Sequence, residues 1–180
     1  MNTAGFSKVE QAFFDRSGRE KLTAKTPYVV VKNFPALGLL TALRFIEWAA
    51  ANPDGVISLP TGKTPEYFIK WTQYLLHNWD KPEAIKIREN NGLLLKERPS
   101  LRGLHFVQID EFYPINPRQH NSFFDYVSKY YIEGFDLDPA KALLINTEEI
   151  VLAEGKHFSE VFPDNLIDLS LRNREALNPF

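Results

Sequence analysis

Apolar residues return in two rhythms along this chain. At 56–59 and 104–109 they crowd into short runs bounded by turn formers, as buried strands do, and 28–31 has the same character. The run at 142–145 reads as a further strand or a buried loop. Between these runs, at 8–16, 36–51, 65–78 and 121–132, apolar residues recur at three- and four-residue spacing, which predicts helices with one buried face. Proline and asparagine punctuate them. Gly18 leads out of the first helix, Pro35 opens the second and Asn52, Pro53 and Asp54 stop it, while Pro65 suits the first turn of the third because its missing N–H has no partner to lose there.

Strands that alternate with helices predict a parallel sheet covered by helices on both faces, so the expected class is α/β, doubly wound and mostly parallel, Rossmann-like. The chain reads as a single domain over 1–180. One stretch is irregular: KPEAIKIRENNGLLLKERPSLR, at 81–102, carries six basic residues against three glutamates, with a break at Asn90, Asn91 and Gly92. Residues 81–103 are therefore an expected insertion, whose Leu93, Leu94 and Leu95 need cover from a helix or another subunit.

Composition narrows the chemistry more than the fold. At 180 residues one domain buries roughly 70% of the surface its unfolded chain exposes, so no staples are required. Twenty-one basic and 23 acidic side chains leave a net charge of -2, which gives no ground for a nucleic-acid partner. Cysteine is absent, and His77, His105, His120 and His157 lack paired ligand spacing; neither a thiolate nucleophile nor a metal site is expected. The amino terminus lacks a secretory pattern and no run reads as a membrane span, so a cytoplasmic protein without a membrane partner is the expectation.

Gly55 to Glu66, GVISLPTGKTPE, places a strand directly before a small hydroxyl-rich turn and a helix start. Unpaired N–H groups at such a helix start, with the positive end of its dipole, hold a phosphate. Thr61, Gly62, Lys63 and Thr64 occupy the turn. Two hydroxyls can donate, and Gly62 lets the backbone come close to a ligand. A nucleotide-binding P-loop needs a glycine where this chain has Ile57, which counts against a kinase and favours a single phosphate group. The bland alternative is an ordinary capped turn, with Thr61 or Thr64 as N-cap and nothing bound.

The apolar run LHFVQI ends on Asp110 and Glu111. In open α/β sheets ligands bind beyond the carboxyl ends of strands, where a carboxylate can act as base on carbon next to a carbonyl. The alternatives are a turn cap for Asp110 and a surface ion pair for Glu111. Phe123, Val127, Tyr130 and Tyr131, further on, recur at near-helical spacing and read as core.

LPTGKTP followed by FVQIDEFYPINPRQHNSFFDYVSKYY resembles the glucosamine-6-phosphate deaminase/isomerase family over 36–146, matching its LPTGxTP turn and its strand ending in a DEY motif. The resemblance implies that Thr61, Gly62, Lys63 and Thr64 bind the sugar phosphate. Asp110 then matches the aspartate that shuttles a proton between C2 and C1, and Glu111 is the second carboxylate of the catalytic pair. This chain reads DEFY where the family has DEY, and Lys63 replaces a frequent glycine. The implied activity is conversion of an amino sugar phosphate to a ketose phosphate and ammonia, with no cofactor and with a small-molecule sugar phosphate as partner. A homo-oligomer stays open.

The family also has a later GxGxDGHxAFNEP segment that supplies a ring-opening histidine, and no such segment occurs in these 180 residues. His157 is not in a matching context. The chain thus reads as the amino-terminal part of such a domain. The alternative is a non-catalytic sugar-phosphate binding or assembly module.

Overall fold

A computed structural model describes residues 5–17 and 28–163. Gly18 and everything expected of 164–180 fall outside the described residues. The chain divides into a helical unit, Met1–Gly55 with Gly62–Leu104, and a sheet unit, Val56–Thr61 with His105–Phe180.

Helix α1, Lys8–Ser17, opens the helical unit through a reciprocal cap. The Ser7 amide donates to Glu10 at 2.8 Å and the Glu10 amide donates to the Ser7 hydroxyl at 3.2 Å, so two orphan donors of the first turn are satisfied. Helix α2, Phe34–Ala51, starts from Asn33, whose side chain accepts from the Ala36 amide at 3.0 Å, with Pro35 in the first turn. Helix α3, Glu66–His77, lies along it. Leu43, Phe45, Ile46 and Ala49 of α2 and Phe68, Ile69, Leu75 and Leu76 of α3 are buried, and the Phe45 and Phe68 rings meet edge to face at 5.6 Å.

Gly38 sets how closely the two helices cross. A Cβ there would stand 2.4 Å from the Tyr67 Cβ and 2.6 Å from its backbone carbonyl carbon. By length and composition α2 is apolar enough to cross a membrane, which corrects the expectation that no run approaches a span. It carries charges nonetheless. Arg44 bonds Glu47 at 2.6 Å and Glu10 of α1 at 3.2 Å, and the apolar side of the helix packs as the core of this unit.

The irregular stretch contains helix α4, Pro82–Asn90, which stops at Gly92 with a φ of 83°. Buried Arg88 staples the segments on either side of this helix: its guanidinium donates to the Leu95 and Trp79 carbonyls, both at 2.8 Å, and lies 3.6 Å over the Trp79 ring. Burial lowers its pKa. Leu93 is covered and Leu94 is exposed. Among the described residues, 28–31 belong to no strand. Apolar, β-branched composition suits a pleated, half-buried surface; only a neighbouring strand makes it a ladder.

In the sheet unit, strands β1 (Val56–Ile57), β2 (His105–Val107) and β3 (Ala142–Leu143) are parallel in the order β1-β2-β3. Val56 pairs with His105, Ile57 with Phe106, Phe106 with Ala142 and Val107 with Leu143. Helix α5, Phe123–Val127, continues into a π-helical stretch, Ser128–Glu133. The fold is thus α/β, rich in helix, around a small parallel three-stranded sheet.

Ile57 and Phe106 point to the side where Tyr131, Ile132 and Phe135 are buried, with Phe106 and Tyr131 ring centroids 5.8 Å apart. On the opposite face Val56 is 66% and Leu143 69% exposed. Cover on both faces, as expected of a doubly wound sheet, is not shown among the described residues.

Gly38→Ala is expected to lower the unfolding free energy by about 1–3 kcal/mol, because backbone rather than a flexible side-chain tip occupies the space. Urea denaturation should show a lower midpoint at unchanged slope. An unchanged midpoint would mean that α2 and α3 do not pack this closely.

Candidate functional site

Parallel pairing puts the carboxyl ends of β1 and β2 side by side, and both expected chemical corners leave from there. Beyond β1 the chain runs Ser58, Leu59, Pro60, Thr61; beyond β2 it runs Gln108, Ile109, Asp110, Glu111. The Ser58 hydroxyl donates to the Val107 carbonyl at 2.7 Å, tying the two ends where the ladder stops.

Gln108 organises the β2 corner. Its amide N–H donates to the Leu143 carbonyl at 3.0 Å, its side-chain oxygen accepts from the Ile145 amide at 3.0 Å, and its side-chain nitrogen donates to the Asp110 carbonyl at 2.9 Å. One buried residue thereby ties its own corner to the end of β3 with three hydrogen bonds. The Asp110 backbone is held, while its carboxylate is exposed and has no hydrogen-bond or ion-pair partner among the described residues.

Glu111 is occupied differently. One carboxylate oxygen accepts from the Phe112 and Phe123 amides, at 2.9 and 3.1 Å; the other accepts from the Ser122 hydroxyl and the Phe124 amide, both at 2.7 Å. The carboxylate sits on the first turn of α5, where orphan N–H groups require an acceptor. The Ser122 hydroxyl also accepts from the Asp125 amide at 3.4 Å. The acidic pair therefore divides: one carboxylate faces solvent and the other caps a helix. The Phe112 ring packs on Phe123 at 5.0 Å, and Tyr113, followed by a cis peptide to Pro114, is half exposed.

The turn after β1 is anchored from behind. The Tyr131 hydroxyl donates to the Pro60 carbonyl at 2.6 Å from a side chain that is fully buried. Burial first, then the nearby Tyr126, raises its pKa. Thr61 is half buried, and its hydroxyl has no partner among the described residues.

Gly62, Lys63 and Thr64 open the helical unit's second segment and are exposed. Gly62 has a φ of 92°, the left-handed region that a side chain disfavours, and open space where a Cβ would be. The Glu66 amide donates to the Lys63 carbonyl at 3.3 Å, Pro65 takes the N-cap position of α3, and no side chain caps that helix. Neither Thr61 nor Thr64 plays the capping part that an ordinary turn would give it. Glu66 bonds Lys70, which lowers the Glu66 pKa and raises that of Lys70; Lys63 adds a smaller lowering to Glu66.

Two residues in this arrangement had no place in the expected site. Gln108 carried a signal, an amide inside an otherwise apolar strand next to Asp110. Tyr131 was expected as core, and it is; what the spacing did not reveal is where a buried phenol finds its acceptor. Among the described residues no group of three or more His, Cys, Asp or Glu could hold a metal ion.

No protein-family model and no curated protein matches the chain. A solved structure does: a monomeric glucosamine-6-phosphate deaminase, described as a missing link of the NagB superfamily, superposes with a TM-score of 0.51 at 19% identity. The match covers 64% of this chain and 41% of that one, so the chain spans about two fifths of the neighbour's length. At this identity the likeness shows the α/β fold.

The raised Tyr131 pKa has a sign that can be tested. The folded state keeps a phenol proton that the unfolded chain releases above its ordinary value of 10.0. Stability from this group is thus complete below that value and falls as pH rises past it, by up to about 1.4 kcal/mol per pH unit. Unfolding free energies measured from about pH 9 upward should fall more steeply for the native chain than for Tyr131→Phe. Parallel profiles would show that the hydroxyl is not sequestered.

Proposed function

We propose that this chain belongs to the sugar-phosphate deaminase/isomerase kind, acting on an amino sugar phosphate such as glucosamine 6-phosphate, on a doubly wound scaffold that includes the three described strands. The supporting observation is the Asp110 carboxylate, held by its backbone at the end of β2 yet uncommitted and open to solvent. Adjacent to β2, β1 leads into the LPTGKTP turn that the resemblance assigns to phosphate, and the fold-level likeness to a glucosamine-6-phosphate deaminase points the same way.

In this reading Thr61, Gly62, Lys63 and Thr64 anchor the phosphate. Backbone N–H groups and the two hydroxyls supply donors, and Lys63 adds a charge. Asp110 removes the C2 proton of the ring-opened sugar as the C1 carbonyl becomes an enol, then returns a proton to C1. The C2 imine so formed takes up water and loses ammonia, leaving the ketose phosphate. No electrons enter or leave, so no redox cofactor is needed. Glu111 takes the place of the second carboxylate of the pair by holding the corner on which Asp110 stands.

A second reading, a module that binds a sugar phosphate without turning it over, is favoured by the lack of a GxGxDGHxAFNEP segment in these 180 residues. Calorimetry with glucosamine 6-phosphate and an ammonia-release assay, run on this same chain, separate the two: binding without ammonia selects the module. If ammonia is released, Asp110→Asn should reduce the rate by about 10²–10⁴-fold, the usual scale for a positioned acid-base group. Its dissociation constant for the sugar phosphate should stay within about threefold, since the proton transfer and not the anchoring is removed. Equal loss of binding and turnover would make Asp110 a structural residue and defeat the assignment.

A further inference from the structure

Glu111 and Tyr131 stand at opposite ends of one continuous helical segment, α5 with its π-helical extension, and each reaches a different strand end. At the amino end the Glu111 carboxylate collects four donors, all from residues 112 and 122–124, which clamps the β2 corner to the first turn. Toward the other end Tyr131 donates to Pro60, the residue before Thr61. The tyrosine ring has little freedom. Phe135 lies 5.3 Å, Phe106 5.8 Å and Tyr126 6.0 Å from it, centroid to centroid.

The backbone form of this segment is part of the observation. Its last six residues, Ser128–Glu133, are π-helical, a geometry rare in proteins and frequent beside functional sites. A wider turn changes the direction in which later side chains leave the axis. An ordinary core tyrosine on a regular helix would need only burial and some local acceptor. Here the hydroxyl reaches 71 residues back along the chain to a carbonyl in a loop.

We infer that the segment formed by α5 and its π-helical extension is a strut that fixes the corner bearing Thr61 relative to the corner bearing Asp110, with Tyr131 and Glu111 as its positioning residues. The consequence for ligand binding rests on the sugar-phosphate reading; the mechanical coupling does not. Neither residue touches a reacting atom. Tyr131 acts by holding Pro60, and Glu111 by holding the helix that carries Tyr131.

The test compares the native chain with Tyr131→Phe, which keeps the ring and removes the donor, and with Glu111→Gln, which weakens the clamp at the far end. Backbone ¹⁵N relaxation reads each corner separately, with Phe106 in β2 as internal reference. In the native chain Thr61 should have an order parameter near the rigid value of about 0.85, and in both variants it should fall towards about 0.6 while Phe106 is unchanged. A fall in Glu111→Gln is the discriminating result, because the Glu111 hydrogen bonds reach none of residues 58–61. An unchanged Thr61 in either folded variant, or an equal fall at Phe106, overturns the strut. Should Tyr131→Phe fail to fold, Glu111→Gln alone decides.

Calorimetry then tests the consequence. Tyr131→Phe should weaken glucosamine 6-phosphate binding about tenfold, the scale of one lost hydrogen bond of about 1.4 kcal/mol. Unchanged affinity with a loosened Thr61 overturns the claim that the strut serves binding. A native chain that binds no sugar phosphate defeats the functional reading instead, and the relaxation result still decides the coupling.

Discussion

A phenol buried away from water must give its hydroxyl proton to some acceptor, and in the sheet unit that requirement joins the parts. Tyr131 meets it at the Pro60 carbonyl, so the helical segment above the sheet is bonded to the loop leaving β1. A phenylalanine would fill nearly the same volume among Phe106, Tyr126 and Phe135 and leave that loop untethered. The aromatic cluster supplies the apolar burial. The hydroxyl supplies direction, because a hydrogen bond of 2.6 Å tolerates far less displacement than a ring contact does. With only two or three residues in each strand, the ladder alone is too short to hold the loops that leave it.

How far the fold could be read from the sequence depends on which signals are local. Helix α2 was legible at both ends because its determinants are neighbours: Pro35 at the start, Asn52 and Pro53 at the stop, with the Asn33 cap added by the structure. Strands expected at 56–59 and 104–109 are present, 142–145, read as strand or buried loop, holds a strand, and each is shorter than the apolar run that announced it. Where pairing depends on a distant partner the reading failed. Among the described residues, 28–31 have strand composition and no ladder, and the second covering layer is not shown, with Val56 and Leu143 exposed on that face. A continuous apolar run says that a strand is not solvated; it does not say what lies against it.

The acidic pair shows the same division at the scale of a site. Adjacent residues in a turn leave the backbone in different directions, so Asp110 and Glu111 share a position in sequence and not an environment. Glu111 lies over the amides of residues 123 and 124 and satisfies donors that α5 cannot satisfy internally. Asp110 has its carbonyl fixed by Gln108 and its carboxylate left open. Nothing local distinguishes the two. The cap partner, Ser122, lies 11 residues further on, and a serine in SFFDYV reads as a helix start without telling which acid it will serve.

The start of α3 poses a last question of energetics. An N-cap side chain contributes about 1 kcal/mol, and Thr64, next to Pro65, is of a type suited to that work. The cap is not made: Pro65 occupies the N-cap position and the threonine hydroxyls are not spent on the helix. For a turn whose only task is to connect a strand to a helix, the more stable arrangement moves the helix start by one residue and uses the hydroxyl. Gly62 with its positive φ adds to the same side, since a left-handed glycine loses more conformational entropy on folding than a residue with a side chain would in an ordinary turn. A local cost borne in this way, with open space beside Gly62 and a lysine exposed next to it, is what the proposed role of the turn as a phosphate anchor would require.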